Sequence, residues 1–341
     1  MGPPPPNSSS LSRFTRRTRF RRAFLPFLVS LFLLSGFAAR FLLYDLYTLA
    51  SLPITWSQHA ETFYISPSRD DFDLTFQNYS LPQLDALPPY ENKVPAILHH
   101  ISLGNRAVTN SKWIEVRQSC LDIHTDWKAY LWTDETADLF VREEFPELYE
   151  MWTEGYKYPI QRIDALRYMV LFKYGGVILD MDLQCKRGLG PLRRFEFVAP
   201  AAHPTGFSIG FMMAAERNSF VGELVQGLKR YNRGWLGLPY TTVMFSTGCH
   251  YASTIHAFQK DRTELKILSG TRENPGMHSL NGPVSTPIFN HLGSSSWHSY
   301  DAALIVSIGK GHAGGLPLML IFGSLVSFFL IKRIRRGRLL K

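Results

Sequence analysis

Between Lys93 and Cys185 the chain alternates short apolar runs with longer stretches whose apolar residues recur every three or four positions. Residues 94–101 ("VPAILHHI") read as a first buried strand, and residues 127–134 ("WKAYLWTD") as a second. The run "ETADLFVREEFPELYEMW" has helical spacing, interrupted near Pro146. In "YPIQRIDALRYMVLFKYGG", Ile160, Ile163, Leu166, Met169 or Val170, and Phe172 fall at helical spacing. Pro159 suits the first turn of that helix, and Gly175–Gly176 suit its C-terminal cap. A short strand, Val177–Leu179, follows and runs straight into Asp180 and Asp182. The alternation of strand and helix predicts an α/β domain: a mostly parallel sheet with helices on both faces. Residues 51–92 are rich in Pro, Ser, Asp and aromatics without clear periodicity, which predicts a stem. Residues 1–12, "MGPPPPNSSSLS", are of low complexity and predict disorder.

Two longer apolar runs lie outside this pattern. Ala23–Ala39 is uncharged, and apolar residues continue past Arg40. Ala313–Ile331 is a second uncharged run, followed directly by "KRIRRGR". Both lengths suit a bilayer. For the first, a cleaved signal peptide is the other reading, since "SGFAA" offers small residues. For the second, the other reading is a buried core helix. Charge bears on the choice. The chain of 341 residues has a net charge of +9, but six arginines stand in residues 1–22 and six basic residues in 332–341. Without these twelve, 25 basic residues face 28 acidic ones. The basicity is terminal and abuts apolar runs, a membrane signature that argues against a nucleic-acid partner. The positive-inside rule places both termini in the cytosol and the intervening domain in the lumen of the secretory pathway. The expected division is a cytosolic tail (1–22), an anchor (23–43), a luminal stem (44–92), a catalytic domain (93–308), a second span (313–331) and a cytosolic tail (332–341). Asn78-Tyr79-Ser80 is then a luminal sequon, and Asn7-Ser8-Ser9 a cytosolic one.

Three cysteines, Cys120, Cys185 and Cys249, make no disulfide framework, though one pair with one free thiol is compatible with an oxidising lumen. No zinc-type spacing is present, and nothing near a cysteine marks it as a nucleophile. The chemistry concentrates at Asp180 and Asp182. In an extended segment they share one face while Met181 points the other way. Such an oxygen-rich pair suits a hard divalent cation whose other ligands are waters and phosphates. The end of a buried strand is also where open α/β sheets bind ligands. A solvated turn is the plain alternative. Asp164 and Arg167, spaced i and i+3, lie on one helical face, as functional groups or as an ordinary ion pair.

Taken together, "RIDALRYMVLFKYGGVILDMDLQC" resembles a glycosyltransferase signature. Its order is Asp-x-x-Arg-Tyr, an apolar helix, Tyr-Gly-Gly, a short strand and Asp-x-Asp, with sixteen positions between Asp164 and Asp180. The same order occurs in sugar-transferring bacterial toxins. The chain is similar to the family 32 transferases of GT-A fold, and within them to fungal enzymes that mannosylate inositol phosphorylceramide. The likeness extends over roughly residues 93–308. "VPAILHHISLG" matches the family's opening strand at His99, with His100-Ile101-Ser102 in place of Gln-Thr-Trp. "WKAYLWTDE" matches the second strand. "VMFSTGCHYAST" matches a segment usually reading Ser-Thr-Gly-Pro, with Cys249 in place of proline. "FNHLGSSSWHSYDAALI" matches the closing motif.

The resemblance implies a GT-A-like domain flanked by two transmembrane helices, with Mn²⁺ or Mg²⁺ as cofactor. It implies Asp182 as metal ligand, and Asp180 in contact with ribose and metal-bound water. Asp164 would bond the ribose or donor sugar, and Arg167 would face the sugar and pyrophosphate. Tyr174, Gly175 and Gly176 belong to the donor-binding motif. Ser296 and Trp297 would contact the diphosphate, with an ordinary core position as the other reading for Trp297. His291 or His298 would complete the metal shell, or be structural. The implied activity is retaining transfer of mannose from GDP-mannose to inositol phosphorylceramide in a Golgi or other secretory-pathway membrane, with a regulatory membrane subunit as a candidate partner. The alternatives are a Golgi mannosyltransferase acting on protein-linked glycans, and a non-catalytic membrane subunit.

Overall fold

The computed structural model describes residues 30, 33–37, 40–104, 111–235, 237–293 and 301–302. The chain forms two compact units, Met1–Ser51 and Leu52–Lys341. In the first, residues 40–51 are helical and expose Phe41, Leu43, Leu46, Tyr47 and Leu49. Among the described residues no helix is long and apolar enough to cross a membrane. About half of the expected span 23–43 lies outside them, and 313–331 wholly so.

The second unit is mixed α/β. Its elements, in chain order, are β1 (Ile97–Ile101), α1 (Ser111–Ile123), β2 (Lys128–Trp132), α2 (Asp134–Glu144), α3 (Pro159–Tyr174), β3 (Gly176–Leu179), β4 (Leu183–Cys185), β5 (Phe197–Pro200), β6 (Phe211–Ala214), α4 (Ser219–Tyr231), α5 (Pro239–Ser246), α6 (Cys249–Ala257), β7 (Leu265–Leu268), β8 (Val284–Ser285) and β9 (Phe289–His291). A six-stranded sheet has the order β2-β1-β3-β6-β5-β7. Only β6 runs antiparallel to its neighbours, so the sheet is mostly parallel, as expected. A three-stranded sheet, β4-β9-β8, stands beside it.

The helix α3 begins at Pro159 and ends where Gly175 takes a φ of 60°. Gly175 and Gly176 both need glycine. A Cβ on Gly175 would lie 2.6 Å from the Glu216 nitrogen, and one on Gly176 2.7 Å from the Ile97 oxygen. His99 ties this corner to β1: its Nε2 bonds the Gly175 carbonyl at 3.0 Å, while Trp132 donates to its Nδ1. Val177, Ile178 and Leu179 are all at most 1% exposed, and burial of each stabilises the fold by about 1.5–3 kcal/mol. They alternate between two cores. Ile178 faces the core built with α2, α3, α4 and α6; Val177 and Leu179 face the other. That second face is covered differently from the helical layer expected. Besides α1, it packs against the small sheet and irregular chain around Phe72, Leu74 and Phe76.

Residues 52–92, expected as a stem, are part of this packing. Trp56 and Phe63 enter the first core, Ile65, Phe72, Leu74 and Phe76 the second. Tyr64 bridges to Ile267, extending the sheet beyond β7, and Asp70 pairs with Lys266 at 2.9 Å with both side chains under 10% exposed. The compact unit therefore starts at Leu52, well before the boundary expected near residue 93. Cys120 and Cys185 form a disulfide joining α1 to β4, and Cys249 is free.

Candidate active site

The third strand delivers its chain to the carboxyl edge of the parallel sheet, and Asp180 is the next residue. The backbone there is a tight turn, not the extended segment expected. Asp180 N–H donates to the Gly210 carbonyl at 2.9 Å, and Asp180 O accepts from Leu183 N–H at 3.1 Å. The Asp182 carbonyl accepts from Leu292 N–H at 3.0 Å. Both carboxylates are thus presented by a turn clamped between the Gly210 loop and β9. Pairing of β4 with β9 aligns Leu183 with His291, which sets His291 Nε2 3.4 Å from Asp182 Oδ2.

From the helix side, Arg167 reaches the same place. One terminal nitrogen donates to Asp164 Oδ1 at 2.8 Å, and the other donates to Asp180 Oδ1. The buried Nε–H of Arg167 has no partner among the described residues. Thr247 Oγ1 donates to Asp164 Oδ2 at 3.0 Å. The result is a continuous chain, Thr247–Asp164–Arg167–Asp180, with Asp182 and His291 beyond. Its inner members are enclosed: the side chains of Asp164 and Arg167 are 3% and 8% exposed, while that of Asp180 is 30% exposed. A ligand entering from solvent meets Asp180 and its neighbours first.

Burial raises the Asp164 carboxyl to about 7, against the pull of Arg167 and the Thr247 hydroxyl. Protein surrounds Asp180 on enough sides that burial pushes it up to about 6; Arg167 opposes this and Asp182 adds to it. Burial disfavours charge on His291 too, but the Asp182 carboxylate outweighs it and holds the imidazole above its usual value. Three carboxylates and one imidazole gather around one guanidinium, so negative charge is in excess once the carboxyls are ionised. A cation would reduce that excess. Among the described residues no group of three metal-ligating side chains converges. Two carboxylates at a solvent-facing turn instead fit a hard cation that takes its remaining ligands from water and phosphate.

Tyr174, Gly175 and Gly176 lie elsewhere. They stand at the start of β3, the end opposite Asp180, and Tyr174 stacks among His99, Tyr130 and Trp132. Being near in sequence, they are separated from the site by the length of the strand, so their part is to turn the chain. Ser296, Trp297 and His298 lie outside the described residues. Asp301 of the same motif accepts the N–H groups of Tyr240 and Thr241 at 3.2 and 3.1 Å, capping the first turn of α5. Cys249 is the first residue of α6, where proline is equally at home, so its replacement of proline leaves the turn intact. Burial pushes its thiol up to about 11, the reverse of an activated nucleophile. Two contributors escape a local reading: Thr247 stands in the Ser-Thr-Gly segment, but nothing there shows that it meets Asp164, 83 positions away, and the absent side chain of Gly210 leaves room for Asp180.

The model of the family described as "Glycosyltransferase sugar-binding region containing DXD motif" matches residues 110–198. Mannosyl phosphorylinositol ceramide synthase SUR1 of Saccharomyces cerevisiae is 34% identical over 241 residues, 71% of this chain and 61% of the relative. Inositol phosphoceramide mannosyltransferase 2 of Schizosaccharomyces pombe is 30% identical over 249 residues, 70% of this chain and 67% of the relative. The chain thus spans about three fifths of the length of its budding-yeast relative. Among solved structures, the PaToxG glycosyltransferase is 16% identical, with 48% of this chain and 69% of that one covered and a TM-score of 0.36. With Asp180 and Asp182 inside the matched segment, and this identity sustained over two thirds of a relative, the chain belongs to the glycosyltransferase family whose sugar-binding region contains the DXD motif.

Proposed function

We propose that this chain transfers mannose from GDP-mannose to the headgroup of inositol phosphorylceramide, with retention of configuration and dependence on Mn²⁺ or Mg²⁺. The observation that carries the reading is Arg167, held between Asp164 and Asp180 beside Asp182 at the carboxyl edge of the sheet. The activities for which the fungal relatives are named supply the sugar and the acceptor. GDP as the nucleotide and a GT-A-type domain follow from the resemblance of the motifs.

Asp182 and Asp180 would hold the cation, with His291 at hand, and the cation would supply positive charge to the diphosphate oxygens when bound. Arg167 adds a fixed positive charge that needs no reorganisation as the leaving group gains negative charge. The bond from the anomeric carbon to the β-phosphate oxygen breaks. An acceptor hydroxyl oxygen forms the new bond on the same face, and its proton passes to the departing phosphate. No further carboxylate is assigned as a nucleophile, which favours this front-face course over a double displacement. A covalent mannosyl-enzyme, if trapped, would overturn it.

In this reading the apolar runs 23–43 and 313–331 span a secretory-pathway membrane, with both termini cytosolic and the domain luminal. The active site then lies near the bilayer surface, where the acceptor headgroup resides, and the exposed Asn78 is open to glycosylation. The test is transfer of labelled mannose from GDP-mannose to inositol phosphorylceramide in membranes carrying the chain or its Asp182→Asn variant, with and without a candidate regulatory subunit. Metal-dependent product with the parent and a loss of at least 100-fold in the variant are expected. A folded parent that makes no lipid product with either preparation would overturn the lipid assignment and turn attention to protein-linked glycans.

A further inference from the structure

On α3, Gln161, Asp164 and Tyr168 stand at i, i+3 and i+7, one stripe of the helix. All three bond to the same two residues at the corner between α5 and α6. Gln161 Nε2 donates to Ser246 Oγ at 2.7 Å, Thr247 Oγ1 donates to Asp164 Oδ2 at 3.0 Å, and Tyr168 Oη donates to the Thr247 carbonyl at 2.5 Å. Every one of these five residues is at most 2% exposed. The corner is itself fixed, since Thr247 and Gly248 N–H groups both donate to the Val243 carbonyl. At the far end of α5, the Asp301 carboxylate caps its first turn.

Asp164 divides its oxygens, Oδ1 to Arg167 and Oδ2 to Thr247. A carboxylate bound only through Oδ1 is free to turn about its last side-chain torsion, and the guanidinium would turn with it. With Oδ2 pinned by a hydroxyl on a fixed corner, the carboxylate plane is set, and so is the plane of the Arg167 fork that also meets Asp180. We propose that Thr247 is a positioning residue for sugar transfer: its hydroxyl fixes Asp164, and through Asp164 the orientation in which Arg167 meets the diphosphate. The inference deepens the proposed function and rests on Arg167 facing the leaving group. The other bonds of the corner serve packing. They hold Thr247 in place but touch neither carboxylate.

Thr247→Val keeps the shape and removes the hydroxyl, Thr247→Ser keeps the hydroxyl, and Ser246→Ala breaks the neighbouring bond without touching Asp164. Two readouts are taken on the full chain in membranes or detergent: kcat and KM for mannose transfer, and affinity for GDP in the presence of Mn²⁺. The charge that Arg167 meets is greatest on the departing diphosphate. Thr247→Val should therefore lower kcat about 30-fold, ~2 kcal/mol of barrier, with KM for the donor changed less than threefold, and should weaken GDP binding about tenfold. Thr247→Ser should stay within threefold of the parent in both, as should Ser246→Ala, even if its melting temperature falls. The inference is overturned if Thr247→Val matches the parent, if Thr247→Ser is as impaired as Thr247→Val, or if Ser246→Ala loses as much kcat. A parent that binds GDP but transfers no mannose overturns the mannosyl reading. The GDP affinities of the three variants then still decide the role of Thr247.

Discussion

Gly210 stands where a methyl group would lie 2.7 Å from Asp180 Oδ2. What it would displace is the tip of a side chain and not backbone, so the fold can yield cheaply while the site cannot. Gly210→Ala is expected to keep its melting temperature within about 3 °C of the parent, a shift of about 1 kcal/mol, yet to lose at least tenfold in transfer. Equal activity in the two proteins would show that Asp180 tolerates displacement. Residues such as Gly210 and Thr247 mark the limit of reading a site from sequence. Asp164, Arg167, Asp180 and Asp182 were legible because their spacing on a helix and after a strand is itself geometric. Thr247 stands in the Ser-Thr-Gly segment of the resemblance, but its contact with Asp164 arises only because α5 and α6 fold back over α3, which no local pattern records. Tyr174-Gly175-Gly176 precede the aspartates by a few positions yet stand at the other end of β3, a separation that closeness in sequence does not show.

At the scale of elements, β3 is only four residues long, and both of its ends are set by the chain around it. Glycine at 175 and 176 permits the approach of Ile97, Ala214 and Glu216, and the Gly210 and Leu292 bonds fold the aspartates back from the strand. Gly175→Ala would force a side chain into a positive-φ position and against three neighbours at 3.0 Å or less. A loss of about 2–4 kcal/mol in unfolding free energy is expected, measurable by denaturant titration; a loss under 1 kcal/mol would mean that the corner relaxes. The termini of α3 were legible because proline and glycine act locally. The segment 52–92 was not, since its aromatic residues reach two cores from irregular turns, and burial without periodicity leaves no mark in a hydrophobic pattern. The small sheet β4-β9-β8 was equally hidden, as it joins strands about a hundred positions apart.

Considered as a whole, the folded unit is a poor base. Burial pushes His100 down to about 3, and His99, His124, His250, His256 and His278 to about 4. The unfolded chain takes up a proton at each near pH 6.5, and the folded chain refuses it until about pH 4. Their stabilisation is thus complete above pH 6.5 and lost as pH falls towards 4. Asp164 and Asp180 oppose this, because burial raises them to about 7 and about 6 and folding then takes up protons. His291, held above its usual value by Asp182, opposes it too. The six lowered histidines outnumber these three groups, so the folded chain loses stability as pH falls below 6.5. The melting temperature is expected to fall steeply between pH 6.5 and 5, and a flat profile would show that the buried histidines find partners for their protons.

The bond between Cys120 and Cys185 closes a ring across 65 positions of chain. Asp164, Arg167 and Asp180 all lie inside that ring, and Asp182 is three positions from its end. In the chain-entropy description such a closure is worth about 4 kcal/mol, and it acts on the unfolded chain, not on the site. A nascent molecule whose ring is sealed has far fewer ways to separate the helix that carries Arg167 from the turn that carries Asp180. Assembly of the candidate site is in this sense a maturation event. It depends on the oxidant met by the newly made chain, and enzyme prepared under reducing conditions would be immature before it was ever inactive.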